Sequence, residues 1–181
     1  KVAVGCDSLY LGMIYSGKSY TYNCNYNSSQ EAYYAQKAYE IFSKLNISSY
    51  ARAALYRLAV SYHNNDEYEN ALNVYNRIID ESSDVDFVLL QSLLGKAHTM
   101  IEIEDSDYFV IDNIFRKAHN EYHAEFEERD YWAWTYSLYK IGSNNEAEAI
   151  MNNIDVSEEY TANFWKSRIY AFLNDWESVY K

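Results

Sequence analysis

ALYRLAVSYHNNDEYENALNVYNRII, residues 54–79, is the stretch on which the fold turns. Leu55, Leu58, Ala59 and Tyr62 recur at helical spacing, the polar link His63-Asn64-Asn65-Asp66-Glu67 follows, and Tyr68, Ala71, Leu72, Tyr75 and Ile78 form a second apolar stripe. Side chains three and four positions apart share one face of an α-helix, so the stretch predicts two amphipathic helices joined by a tight connection. A hairpin of this kind buries both stripes only by packing on neighbours like itself, which directs the search to repeats.

Repeats are found on both sides. Leu11, Gly12 and Tyr15 carry the same signature upstream, and Glu31 to Ala38 reads as the matching second helix after an extended link through Tyr20 to Ser29. Leu94, Gly95 and His98 open a further unit, closed by Ile111, Phe115 and Ala118 if about four extra residues are inserted around Glu102 to Asp107. Trp132 and Tyr139 lead to Ala147 and Met151 with Gly142 in the turn, and Tyr170, Trp176 and Val179 begin a last, truncated unit. The small residues Gly12, Ala59, Ala71, Gly95 and Ala118 stand where two helix backbones approach closely. Steps between the equivalent positions 15, 62, 98, 139 and 170 are uneven, so the repeats are degenerate and carry inserts.

The pattern resembles the tetratricopeptide repeat, which places a large residue at position 4, Leu at 7, a small residue at 8, Tyr at 11, an aromatic at 17, Ala at 20, an aromatic at 24 and a small residue at 27. Leu55, Leu58, Ala59, Tyr62, Tyr68, Ala71 and Tyr75 fill the first seven in register; Ile78 departs from the eighth and implies looser packing there. The proline that often ends the family's repeat is replaced by Glu81-Ser82-Ser83-Asp84. The resemblance implies an all-α fold, a right-handed α-α superhelix of antiparallel helix pairs. It forms one domain over 1–181 with units near 5–45, 51–83, 87–120, 128–155 and a truncated 160–181.

In the family, positions 2, 5, 9 and 12 of the first helix face a concave groove. The resemblance thereby assigns the groove to Leu9, Met13 and Ser16; Tyr56, Val60 and His63; Ser92, Lys96 and Thr99; Ala133, Ser137 and Lys140; and Phe164 and Arg168. Lys96, Lys140 and Arg168 are cations in an acidic chain; pairing of each with a neighbouring Asp or Glu of the repeat is the first expectation, and reception of a carboxylate or an acidic peptide is the second. Tyr56, Trp132, Trp134 and Trp165 stand near the groove as candidate aromatic contact area, although most such rings are expected to serve repeat packing. The paired lysines and asparagines with which some family members clamp a C-terminal carboxylate are absent from the matching positions.

Composition narrows the function. Hydrophobic residues make up 49% of the 181 positions, enough for a sizeable core, and 21 tyrosines with no proline favour helices packed through amphipathic rings. A net charge of −12 disfavours nucleic acid, and no stretch approaches the roughly 18 apolar residues that span a membrane. Cys6 and Cys24 are too few for a disulfide framework and leave the compartment open. Val2-Ala3-Val4-Gly5-Cys6 has a faint likeness to the end of a lipoprotein signal. The sequons at Asn27 and Asn46 are of a kind expected by chance in an Asn- and Ser-rich chain.

No convergent catalytic set stands out. His119 and His123 share a helical face on paper, yet Asn120 stands where a zinc-protease helix carries its glutamate, so the pair reads as surface histidines. Glu127 with Glu128, and Glu102 with Glu104 and Asp105, read as solvated faces. No phosphate loop, nucleophile elbow or Cys-x-x-Cys is present. The expectation is a binding domain without catalysis, cofactor or metal, taking a protein or peptide partner.

Degenerate, Tyr- and Asn-rich repeats of this style are similar to the sensory regions of Bacteroides-type regulators. That likeness implies a sensory or scaffolding part of a larger bacterial regulatory protein, in the periplasm or cell envelope rather than the cytoplasm. The start at Lys1 and the stop within a helical pattern at Lys181 agree with a piece of a longer chain. The alternatives are an envelope lipoprotein anchored through Cys6 that binds a small molecule or assembly partner, and a structural helical domain that forms a homodimer.

Overall fold

The computed structural model describes residues 2–103, 106–155 and 159–174, without the side chains of residues 2–6 and Glu159. Regular structure among them is entirely helical: α1 Val2–Cys24, α2 Ser28–Lys44, α3 Ser48–Asn64, α4 Tyr68–Glu81, α5 Phe87–Ile101, α6 Tyr108–Arg116, a π-helical turn Lys117–Glu121, α7 Glu128–Lys140, α8 Asn144–Met151 and α9 Glu159–Leu173. No helix among the described residues is long and apolar enough to cross a membrane. The side chains of Cys6, Glu104, Asp105, Trp176 and Val179 lie outside the described residues, and with them the expectations placed on these positions.

The chain divides into two compact units, Lys1–Glu102 and Ile103–Lys181. In the first, each helix packs on the next, and α3 also touches α1 and α5, so α1, α3 and α5 form one row with α2 and α4 beside it. In the second, α7 is central and packs against α6, α8 and α9. The expected repeat at 87–120 contributes α5 to the first unit and α6 to the second.

One turn recurs at four connections. Tyr26, Asn46, Asp66 and Gly142 each adopt positive φ (54°, 56°, 61° and 80°) in the middle of a three-residue link. The next residue then donates its N–H to the carbonyl five positions back: Asn27 to Tyr22, Ile47 to Phe42, Glu67 to Tyr62 and Ser143 to Leu138, each at 2.9 Å. This closure satisfies helix carbonyls that would otherwise lack partners and reverses the chain within one turn. It also corrects the extended link expected from Tyr20 to Ser29. With no proline to stop it, α1 runs to Cys24, and Asn27 caps α2 by accepting from the Gln30 N–H at 3.2 Å.

The small residues meet close neighbours. A Cβ on Gly95 would lie 2.6 Å from the Tyr75 ring, and one on Gly12 would lie 2.8 Å from Phe42. Ala38, Ala59, Ala71, Ala97, Ala118 and Ala147 are fully buried. Ile78, where a small residue was expected, is also fully buried, packed with Ala35, Leu55 and Leu58. The looser packing expected there is therefore not seen. Leu11, by contrast, is largely exposed.

Replacing Tyr26 by Gly removes the Cβ penalty of a left-handed residue and is expected to stabilise the protein by about 1 kcal/mol, while Gly142→Ala costs a similar amount. Gly95→Ala is expected to destabilise by about 1–3 kcal/mol through overpacking on Tyr75. Gly17→Ala, where a Cβ meets nothing within 4 Å, is expected to stabilise its helix by up to about 1 kcal/mol. Urea unfolding of the four variants, followed by circular dichroism, checks these signs.

Candidate functional site

In the first unit the assigned groove residues separate by burial. Met13 is about half exposed, and Ser16, Tyr56, Val60, His63 and Lys96 are partly exposed. Thr99 and Ser92 are fully buried, with hydroxyls donating to the carbonyls of Gly95 and Val88 at 2.7 Å. His63 of α3 and Thr99 of α5 do come together, Nδ1 to Oγ1 at 3.0 Å. Because the Thr99 hydroxyl donates to Gly95, it accepts from His63, which places the imidazole proton on Nδ1. A second tie between the same two helices is Arg52, whose guanidinium holds both carboxylate oxygens of Asp86, the N-cap of α5, at 2.8 and 3.0 Å.

In the second unit Ser137 and Ala133 are buried, the Ser137 hydroxyl donating to the Trp134 carbonyl at 2.7 Å. Lys140 and Arg168, from α7 and α9, converge on one ring: Lys140 Nζ lies 5.7 Å and the Arg168 guanidinium 5.1 Å from the centre of Tyr136. Lys140 also stands 5.0 Å from Tyr108 and 4.7 Å from Phe172, and Arg168 5.6 Å from Phe164. Cations over ring faces are attracted by the aromatic quadrupole. Phe164, Phe172 and Leu173 are exposed on α9 beside them. The result is an apolar patch that carries two basic side chains in an acidic chain.

A cleft of about 630 Å³ was not anticipated from the sequence. It lies between the π-helical turn with its following loop, α7 and α8, and its lining includes His119, Phe126, Tyr131, Trp134 and Ile150. Trp134, like Trp132 and Trp165, is buried. Its indole N–H donates to Asp112 at 2.8 Å; Asp112 accepts from Arg116 at 2.8 Å; and Arg116 reaches Glu146 of α8 through two bonds at 2.8 and 2.6 Å. The bonds from Arg116 hold the Glu146 carboxyl below its usual range, against a smaller opposing effect of burial. The local signal was aromatic density from Phe115 to Trp134, but the turn and loop that shape the cleft follow no helical period.

The histidine pair does not survive folding. His119 lies in the π-helical turn and His123 beyond it at φ 52°, so they share no helix face. Family models, curated proteins and solved structures gave no match to the chain, so the site is argued from its own geometry.

Arg116→Met leaves the buried Asp112 without its guanidinium and is expected to cost about 1–2 kcal/mol, reduced from a fully buried pair by the exposure of Arg116 and Glu146. The lowered pKa of Glu146 fixes the pH dependence. Its stabilising contribution is present above the ordinary value of 4.5 and is lost as pH falls through the lower folded value. Denaturation from pH 7 to 3 should therefore show a shallower acid loss in Arg116→Met than in the parent.

Proposed function

We propose that this chain is a protein- or peptide-binding domain of the tetratricopeptide type, its helix pairs following a right-handed superhelical path. It serves as the sensory or scaffolding part of a larger bacterial regulatory protein. The row of α1, α3 and α5 beside α2 and α4 supports the repeat reading. The observation that carries the binding role is the convergence of Lys140 and Arg168 on Tyr136 beside the exposed Phe164 and Phe172. Exposed apolar side chains rimmed by charge are a common signature of association surfaces.

The preferred partner is a segment that carries a carboxylate next to apolar side chains. The carboxylate reaches the cations while the apolar residues cover Phe164 and Phe172. Repulsion by the net charge of −12 disfavours acidic partners elsewhere on the chain, so the patch also selects orientation.

Fluorescence anisotropy with peptides that pair Asp or Glu with Phe or Leu tests this reading. Binding is expected to weaken at least ten-fold in Lys140→Glu and in Arg168→Glu, and with rising salt. Equal binding of acidic, neutral and basic peptides, or indifference to both substitutions, overturns it.

A further inference from the structure

We propose that the cleft between the π-helical turn and α8 is a second binding site, for an organic cation: an ammonium or guanidinium head on a short apolar body. Its volume of about 630 Å³ falls in the range of small-ligand sites. Four rings in its lining pack on one another at steep angles and form an aromatic wall. Phe126 stands at 70° to Trp134 and to His119, with centroids 5.9 and 5.1 Å apart, and at 58° to Tyr131 at 5.3 Å. An aromatic wall of this kind accepts the apolar body of a ligand and attracts a cationic head at its open edge. Trp134 is held in place by its bond to Asp112, by Phe115 stacked against it and by Arg116 over its ring, so the wall is built before a ligand arrives.

Charge selects among ligands. Glu128, Glu146 and Asp155 belong to the lining, which holds no Lys or Arg among the described residues; Glu128 also accepts from the Trp132 indole at 3.1 Å. Arg116 is attached to this wall, bonded to Glu146 and 5.9 Å from the centre of the Trp134 ring. An anion is repelled by these carboxylates. A neutral sugar lacks matching amides: Asn153 already donates to the Ala149 carbonyl at 2.7 Å, and Asn120 sits 3.0 Å from the His119 ring nitrogen. A cation satisfies the rings and the carboxylates together.

The site is independent of the proposed peptide surface. Tyr131 and Trp134 occupy one side of α7, whereas Tyr136 and Lys140 fall about half a helical turn away. Each site therefore serves as the other's control.

The test is an NMR titration of the isotope-labelled protein, read at the Trp134 indole N–H. The probes are choline, its uncharged isostere dimethylbutanol, N-acetyl-argininamide and glucose. Saturable shifts are expected with choline, N-acetyl-argininamide or both, at least about five-fold tighter than with dimethylbutanol. Preference for choline assigns a free ammonium compound, and preference for N-acetyl-argininamide assigns a basic side chain. Asp155→Asn should weaken binding about two- to five-fold, and Asn153→Lys, which places a competing cation at the exposed rim, about ten-fold or more. Lys140→Ala should leave it unchanged, and circular dichroism confirms that each variant is folded. Equal binding of choline and its isostere, binding of glucose alone, no shift at millimolar probe, or indifference to Asn153→Lys overturns the proposal.

Discussion

Three-residue connections with a left-handed residue at the centre set the course of the chain. Without proline, and with few glycines, helices in this sequence have little to stop them except the closure of their own last turn. Where Tyr26, Asn46, Asp66 or Gly142 enters the left-handed region, the following N–H closes back on the helix and the chain reverses. Each reversal sets a new helix beside the previous one, and contact is then limited only by the side chains at the crossing. Gly12 and Gly95, tight against Phe42 and Tyr75, show how close that contact is.

The hairpins were legible because burial imposes a period. Residues 54–79 place apolar side chains every three to four positions, and the structure turns those positions inward as Leu55, Leu58, Ala59, Ala71, Tyr75 and Ile78. Turn positions were less legible, since a tyrosine gives no notice that it will adopt φ 54°. Tyr26 does so because the Schellman closure and the packing of α2 on α1 outweigh the local Cβ strain. The π-helical turn was invisible for a related reason. One widened turn shifts the register of all that follows it, so His119 and His123, four apart in sequence, part company in space.

The binding surface was legible in outline only. Lys140, Arg168 and Phe164 lie in one neighbourhood, and His63 meets Thr99. Family positions also name Thr99 and Ser137, which are buried with hydroxyls turned back to helix carbonyls. A small hydroxyl residue satisfies its own polar group locally and so can stand at a close helix contact as readily as at a surface. Spacing alone does not distinguish these two uses.

The abundance of tyrosine then has a physical account. A ring with a polar edge packs in a crossing, meets water at its rim and receives a cation on its face. Arg57 over Tyr20, Arg77 over Tyr39 and Lys117 over Tyr122 use that face within the fold, Arg77 while also pairing with Glu81 at 2.9 Å. At Tyr136 the same interaction gathers two cations at an exposed apolar edge, and on the other side of α7 the rings around Trp134 form a wall of a cleft whose carboxylates still favour a cation. One helix thus separates a face suited to carboxylates from a cleft suited to their opposite. The separation follows from which neighbour each face meets: α9 brings Arg168 to the first, and α8 brings Glu146 to the second.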